Sequence, residues 1–199
     1  MPPRTLLQIA GATPHPARLA DATVVVIDAQ REYVDGLLPL SGVNSALDEI
    51  GRLLARARAA SVPVIHIVHQ GREGGPFAPS SQGAETAFPA DPAPNEAVLT
   101  KRLPNAFAST DLSARVAALK RPELILVGFM THMCVEATAR AAIDNGLKAT
   151  VVAAATATRD LPDPLTGGVV PADEVQRNAL AALADRFATV VAKVDDLRD

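Results

Sequence analysis

The chain has 199 residues, a net charge of −3 and 48% hydrophobic residues, which argues against disorder and gives no electrostatic footprint for nucleic acid. Its one cysteine excludes an intramolecular disulfide and a cysteine-based zinc cluster, and suits a reducing compartment. No apolar run reaches the ~20 residues that span a bilayer, so the expectation is a soluble, cytoplasmic protein without a membrane partner.

The length predicts one domain over residues 1–199. Residues 1–20 read as a proline-rich N-terminal arm that lacks the long apolar core of a signal peptide. Ala22–Ile27 (ATVVVI) is a continuous β-branched run without alternation, as in a strand buried on both faces of a parallel sheet, and it ends at Asp28. From Asn44 to Ala60, Leu47, Ile50, Leu54 and Ala57 recur at helical spacing, with arginines mostly on the other face. Val62–Val68 predicts a second strand.

Residues 70–95 are rich in glycine and proline. A loop of that length in a compact protein suggests a lid or a subunit-contact loop. Glu96–Thr100 predicts a third strand running into Lys101, and Ser109–Leu119 a helix capped by Thr110 or Ser109. Glu123–Val127 predicts a fourth strand, followed by a turn at Gly128 and a helix over Val135–Asn145 that stops at Asn145-Gly146. Leu147–Ala153 predicts a fifth strand, residues 154–171 a second loop, Asp173–Arg186 a helix capped by Asp173, and Ala188–Val194 a sixth strand.

Strands alternating with helices imply an α/β protein: a three-layer α/β/α sandwich on a six-stranded, mainly parallel sheet. In such sheets ligands sit beyond the carboxyl ends of the strands, where the strand order reverses. An order of 3-2-1-4-5-6 sets the first and fourth strands side by side, and with them Asp28 and Cys134.

Three strand ends carry reactive side chains. Cys134, where a strand gives way to a helix, reads either as a small buried hydrophobe or as a nucleophile whose thiolate is favoured by the helix terminus. Asp28 reads as a turn residue or as a general base, and Lys101 as a solvated lysine or as a cation between two anions. His66 is a core or pocket-wall candidate and His69 lines the site. Their spacing on a strand sets them on opposite faces, against a shared metal. His132, two residues before Cys134, is a weaker candidate for the base than Asp28.

Four segments, VVVIDAQREYV, LTKRLPNAF, GFMTHMCVEATARAAIDNGLKATVV and TATRDLP with the helix before ADRFATVV, together resemble the isochorismatase-like cysteine hydrolase superfamily, which includes nicotinamidases and other amidohydrolases. The resemblance runs from about Ala22 to Val194. It implies Cys134 as nucleophile, Asp28 as general base and Lys101 as electrostatic partner. It also implies a cis peptide between Met130 and Thr131 and an oxyanion hole formed by the amides of Met130 and Cys134. Gln30, Tyr33, His69, Phe77 and Phe107 are the pocket candidates.

The implied reaction is hydrolysis of the C–N bond of a small amide-type molecule through a thioester, with no cofactor and no metal. The alternatives are a metal-assisted, nicotinamidase-like amidase using His69, or a non-catalytic binding module. The metal-binding Asp-x-His set of nicotinamidases is replaced here by His69-Gln70-Gly71, and cleavage of isochorismate, a vinyl ether, needs no thiol. A homodimer or higher homo-oligomer is the expected assembly.

Overall fold

The computed structural model of the chain describes residues 2–199. Its centre is β1 (Ala22–Ile27), buried at every residue, as a β-branched run without polar alternation requires. β1 lies between β2 (Val64–His69) and β4 (Glu123–Phe129); β3 (Ala97–Lys101), β5 (Lys148–Ala157) and β8 (Thr189–Val191) extend the sheet outward. All pairings in this six-stranded sheet are parallel, and the order β3-β2-β1-β4-β5-β8 is the one expected, with β8 as the sixth strand. A second, two-stranded sheet, β6 (Leu161–Pro162) with β7 (Val169–Val170), forms a hairpin inside the stretch expected to be only loop.

Side chains of β1 alternate between two apolar layers. Val24 and Val26 pack with Ile50, Leu53 and Leu54 of α2 (Val43–Ala59). Val25 and Ile27 pack with Leu112 and Val116 of α3 (Leu112–Leu119), Ala139 and Ala142 of α4 (Glu136–Asp144) and Leu183 of α5 (Ala172–Arg186). These are the three layers of the sandwich. The arm carries a single helical turn, α1 (Leu6–Ile9), and is tied down by Ala17 N donating to Thr150 Oγ1 and Leu19 N donating to Arg198 O.

Helix starts differ from expectation where a distant group caps them. α5 begins at Ala172 and not at Asp173: Asp160 Oδ1, from the preceding loop, accepts from Ala172 N at 2.8 Å, so the cap comes from outside the helix. α3 begins at Leu112, because residues 104–111 form turns; Thr110 Oγ1 accepts from Leu112 N at 3.1 Å.

Strand ends differ in a way that matters for the site. β4 runs on to Phe129 and β5 to Ala157, two and four residues past their expected ends. Their register jumps between Leu126↔Val151 and Gly128↔Thr156, so β5 bulges and then resumes pairing. The sequence here is AAATA, too poor in β-branched residues to read as strand.

Gly128 sits at the junction. It pairs with Ile27, has φ +112, and a Cβ there would overlap the Ile27 carbonyl. Only glycine lets the ends of β1 and β4 approach so closely. Gly128→Ala is expected to destabilise the protein by more than about 3 kcal/mol, read as a fall in thermal midpoint or loss of soluble protein.

Candidate active site

The carboxyl ends of β1, β3 and β4 converge on one ammonium. Asp28 is the first residue past β1, with its backbone in the left-handed region (φ +48), a conformation aspartate tolerates better than most residues. Lys101 is the last residue of β3, and its side chain passes beneath the end of β2. Lys101 Nζ lies 2.7 Å from Asp28 Oδ2, 3.2 Å from Cys134 Sγ and 3.3 Å from His69 Nδ1. An ammonium has three N–H donors, and these three contacts use them.

All of this is dry. The side chains of Asp28 and Lys101 are fully buried, and Cys134 is only 5% exposed. Burial pushes the Asp28 carboxyl up, against the pull of Lys101. Burial also pushes the Cys134 thiol up, to about 12; the Asp28 carboxylate adds to that and Lys101 opposes it. A thiolate favoured at neutral pH is therefore corrected to a thiol at rest. The helix terminus expected to stabilise a thiolate is also displaced, because Cys134 lies in a five-residue π-helical turn, Thr131–Val135, ahead of α4. Burial and the neighbouring ammonium bring His69 down to about 4, so its neutral ring can accept from Lys101 at Nδ1.

Asp28 Oδ1, the carboxylate oxygen turned away from Lys101, is buried and makes no hydrogen bond. The turn after β4 carries the two amides expected to form the oxyanion hole. Among the described residues, neither the Met130 nor the Cys134 amide donates to a backbone carbonyl outside regular helix or strand pairing. The cis peptide is Phe129–Met130, one residue before the expected Met130–Thr131. Phe129 still pairs with Ala157, and Thr131 already opens the π turn with its hydroxyl on Ala157 O at 3.1 Å, so the chain changes direction between them.

The pocket candidates separate. Tyr33, Phe77 and His69 form one aromatic wall: Tyr33 meets Phe77 edge-on at 5.0 Å and Phe129 at 5.7 Å, and His69 meets Phe77 at 5.2 Å. Gln30 is a clamp and not a free wall residue. Its amide nitrogen donates to His69 O and Ala84 O, and its oxygen accepts from His69 N, all within 3.0 Å. Phe107 is half-buried against the core layer that contains Cys134 and Leu112. His66 is a buried core residue bonded to Glu96, which Arg58 grips with two further bonds. His132 points away from the thiol, with Nδ1 2.6 Å from Thr158 Oγ1.

Two residues of this region escaped the sequence. Glu32 is buried and accepts from Leu37 N at 2.6 Å and Phe77 N at 3.2 Å, fixing Phe77 and the start of the 70–95 loop. Nothing in REYVDG distinguishes it from a solvated glutamate. Arg159 follows the unexpected extension of β5 and has a buried, unbonded Nε. Its signal is the arginine of TATRDLP, one of the four segments that carry the resemblance.

Among the described residues, no three His, Cys, Asp or Glu side chains gather as metal ligands, and no helix is long and apolar enough to cross a membrane. A cavity of about 1130 Å³ lies at the opposite ends of the strands, between the arm and residues 119–123 and 146–150, and contains none of the reactive side chains.

The model of the isochorismatase domain matches residues 22–195. The crystal structure of an isochorismatase from Pseudomonas putida KT2440 superposes with a TM-score of 0.94 at 40% identity, covering 98% of this chain and 100% of that one. A secreted isochorismatase effector of Verticillium dahliae is 36% identical over 93% of this chain and 95% of its own. A cysteine hydrolase from Pseudomonas syringae pv. phaseolicola 1448A superposes with a TM-score of 0.84 at 25% identity, covering 98% and 96%.

The electrostatics give a signed prediction. Iodoacetamide should alkylate Cys134 slowly at pH 7 and faster as pH rises, since the thiol is held far above pH 7. Asp28→Asn removes a charge that raises the thiol and leaves the lysine that lowers it, so alkylation at pH 8 should speed up, by up to about tenfold per pKa unit recovered. Unchanged or slower alkylation in that variant would contradict the assigned arrangement.

Proposed function

The chain belongs to the isochorismatase family of hydrolases, and from that premise we propose that it is a cysteine hydrolase cleaving the C–N bond of a small amide-type substrate through a thioester. The observation that carries this is the open Asp28 Oδ1 beside a protonated thiol, with Lys101 bridging the two residues. A buried carboxylate with a free oxygen next to a thiol is built to take that proton.

The steps follow from these atoms. Asp28 Oδ1 accepts the thiol proton as Sγ attacks the substrate carbonyl, so charge moves to the carbonyl oxygen without a free thiolate persisting. The amides of Met130 and Cys134 receive that oxyanion; a donor of this kind is worth about 10²–10³ in rate. The tetrahedral intermediate collapses, the C–N bond breaks, and the amine departs with the proton that Asp28 returns. A water then gives a proton to Asp28 and attacks the thioester, releasing the acid and restoring the thiol. Lys101 favours the charged form of Asp28 and opposes the upward push of burial through both halves.

The same reading sets the protein in the cytoplasm, where a lone reactive thiol stays reduced, although the fungal relative is named a secreted effector. It also retains the homodimer or higher homo-oligomer as the assembly to test by light scattering.

A screen of small amides and ureides for ammonia release tests the reaction. Cys134→Ala should lose at least about 10³-fold in kcat while keeping its thermal midpoint within a few degrees. Mass spectrometry of the wild-type protein quenched during turnover should show an acyl adduct on Cys134. Turnover surviving in Cys134→Ala would overturn the mechanism.

A further inference from the structure

His69 closes β2, and nearly every handle it offers is already held. Its backbone N donates to Gln30 Oε1 at 2.8 Å and its carbonyl accepts from Gln30 Nε2 at 3.0 Å, which ties it to the exit of β1. Its ring meets Phe77 edge-on at 5.2 Å, and Phe77 is itself fixed through its amide on Glu32 Oε2 at 3.2 Å. Lys101 Nζ lies 3.3 Å from ring Nδ1. Gln30, Phe77 and Lys101 thus set this residue before any substrate arrives.

The contact with Lys101 decides where the ring proton sits. An ammonium has hydrogens and no lone pair, so a ring nitrogen bonded to it must be the acceptor. Nδ1 therefore carries no hydrogen. The ring is neutral, its pKa brought down to about 4 by burial and by Lys101, and its proton is on Nε2. The opposite tautomer would set one N–H against another.

Nε2 is the handle left open. Among the described residues the ring makes no hydrogen bond besides the one to Lys101. Lys101 is fully buried whereas His69 is only half-buried, so the Nδ1 edge of the ring faces inward and the Nε2 edge faces outward. Asp28, Cys134 and His69 all touch the same ammonium, which stations this N–H one ring-width from the neighbours of the thiol. A bond accepted from a cation on one side of an imidazole polarises the ring and strengthens the donor on the other. An N–H fixed in this way, close to the reacting atoms and without a protein acceptor, is matched by an acceptor that the ligand brings.

On the premise of the proposed hydrolysis, we propose that His69 Nε2 donates to a second acceptor on the substrate, so that the enzyme selects small amides or ureides bearing a carbonyl oxygen or ring nitrogen a few bonds from the scissile carbonyl. The proton transfers stay with Asp28 and Cys134. His69 holds the far end of the substrate and so turns the scissile carbonyl towards Sγ. An amide of the same shape with a methyl group in place of the acceptor leaves the N–H desolvated and unmatched, and that mismatch is the source of discrimination.

The test uses purified full-length protein and two shape-matched pairs of amides, acetoacetamide with isovaleramide and levulinamide with isocaproamide. In each pair a keto oxygen takes the place of a methyl group. Wild type should prefer the keto amide of at least one pair by about 10²-fold in kcat/KM. His69→Asn keeps an acceptor where Nδ1 stands and has no donor where Nε2 stands, so the preference should collapse. His69→Gln, whose amide reaches the Nε2 position, should regain part of it. Wild type indifferent to the keto oxygen in both pairs, or an equal loss on both members in His69→Asn, overturns the assignment; the second result leaves His69 only the task of holding Lys101. If none of the four is hydrolysed above the Cys134→Ala blank, heteronuclear NMR of the histidine rings in Cys134→Ala protein decides instead. A His69 Nε2 resonance that moves with a keto amide and not with its methyl partner supports the donor even though hydrolysis of these amides has failed; no shift, or the same shift with both members, refutes it.

Discussion

Everything at the working end of this sheet depends on one buried ion pair, Lys101 with Asp28. Removing two charges from water costs several kcal/mol each, and their attraction in a dry site repays that only with good geometry and further bonds. Here the geometry is good and the further bonds come from Cys134 and His69, so the ammonium is saturated. An apolar pair of the same volume would hold the fold together at least as well. The pair makes sense as chemistry: Lys101 pulls down a carboxyl that burial pushes up, beside a thiol that burial pushes up as well.

The fold arranges this meeting through parallel topology. Asp28 and Lys101 are 73 residues apart in sequence, yet β1 and β3 flank β2 and end at the same edge of the sheet. Lys101 pairs with His69 across the last rung, so a lysine on the outer strand reaches inward beside a histidine on its neighbour. Gln30 ties the β1 exit to that same histidine's backbone, and Glu32 ties it to Phe77. The 70–95 segment is thus fastened to the exit of β1, next to Asp28. That fastening fits a fixed roof better than a swinging lid.

Much of this was legible. The unbroken β-branched run of 22–27 defined the central strand to the residue, and the apolar runs ending in Asp28, Lys101 and the Cys134 turn marked the site because chemistry in parallel sheets collects at strand ends. What stayed hidden depends on contacts between distant segments. Asp160 capping α5 and Glu32 gathering amides from two loops are three-dimensional facts with no local pattern. The thiol's ionisation was misjudged for the same reason. A helix start is visible in sequence, whereas burial, the larger effect on Cys134, belongs to the packed molecule.

The bulge in β5 has a consequence for how such a protein changes. Two steps along β4, from Leu126 to Gly128, match five along β5, from Val151 to Thr156. The slack is taken up in Val152–Ala155, a stretch of small residues that contributes nothing to the cluster around Lys101. The reactive groups arrive on β1, β3 and the turn after β4, while Arg159 arrives on β5 downstream of the slack. Lengthening or shortening that stretch would deliver a different side chain to the rim and leave Cys134, Asp28 and Lys101 where they are. The architecture therefore routes the chain beyond β5 independently of the buried cluster, so a change of length there need not disturb it.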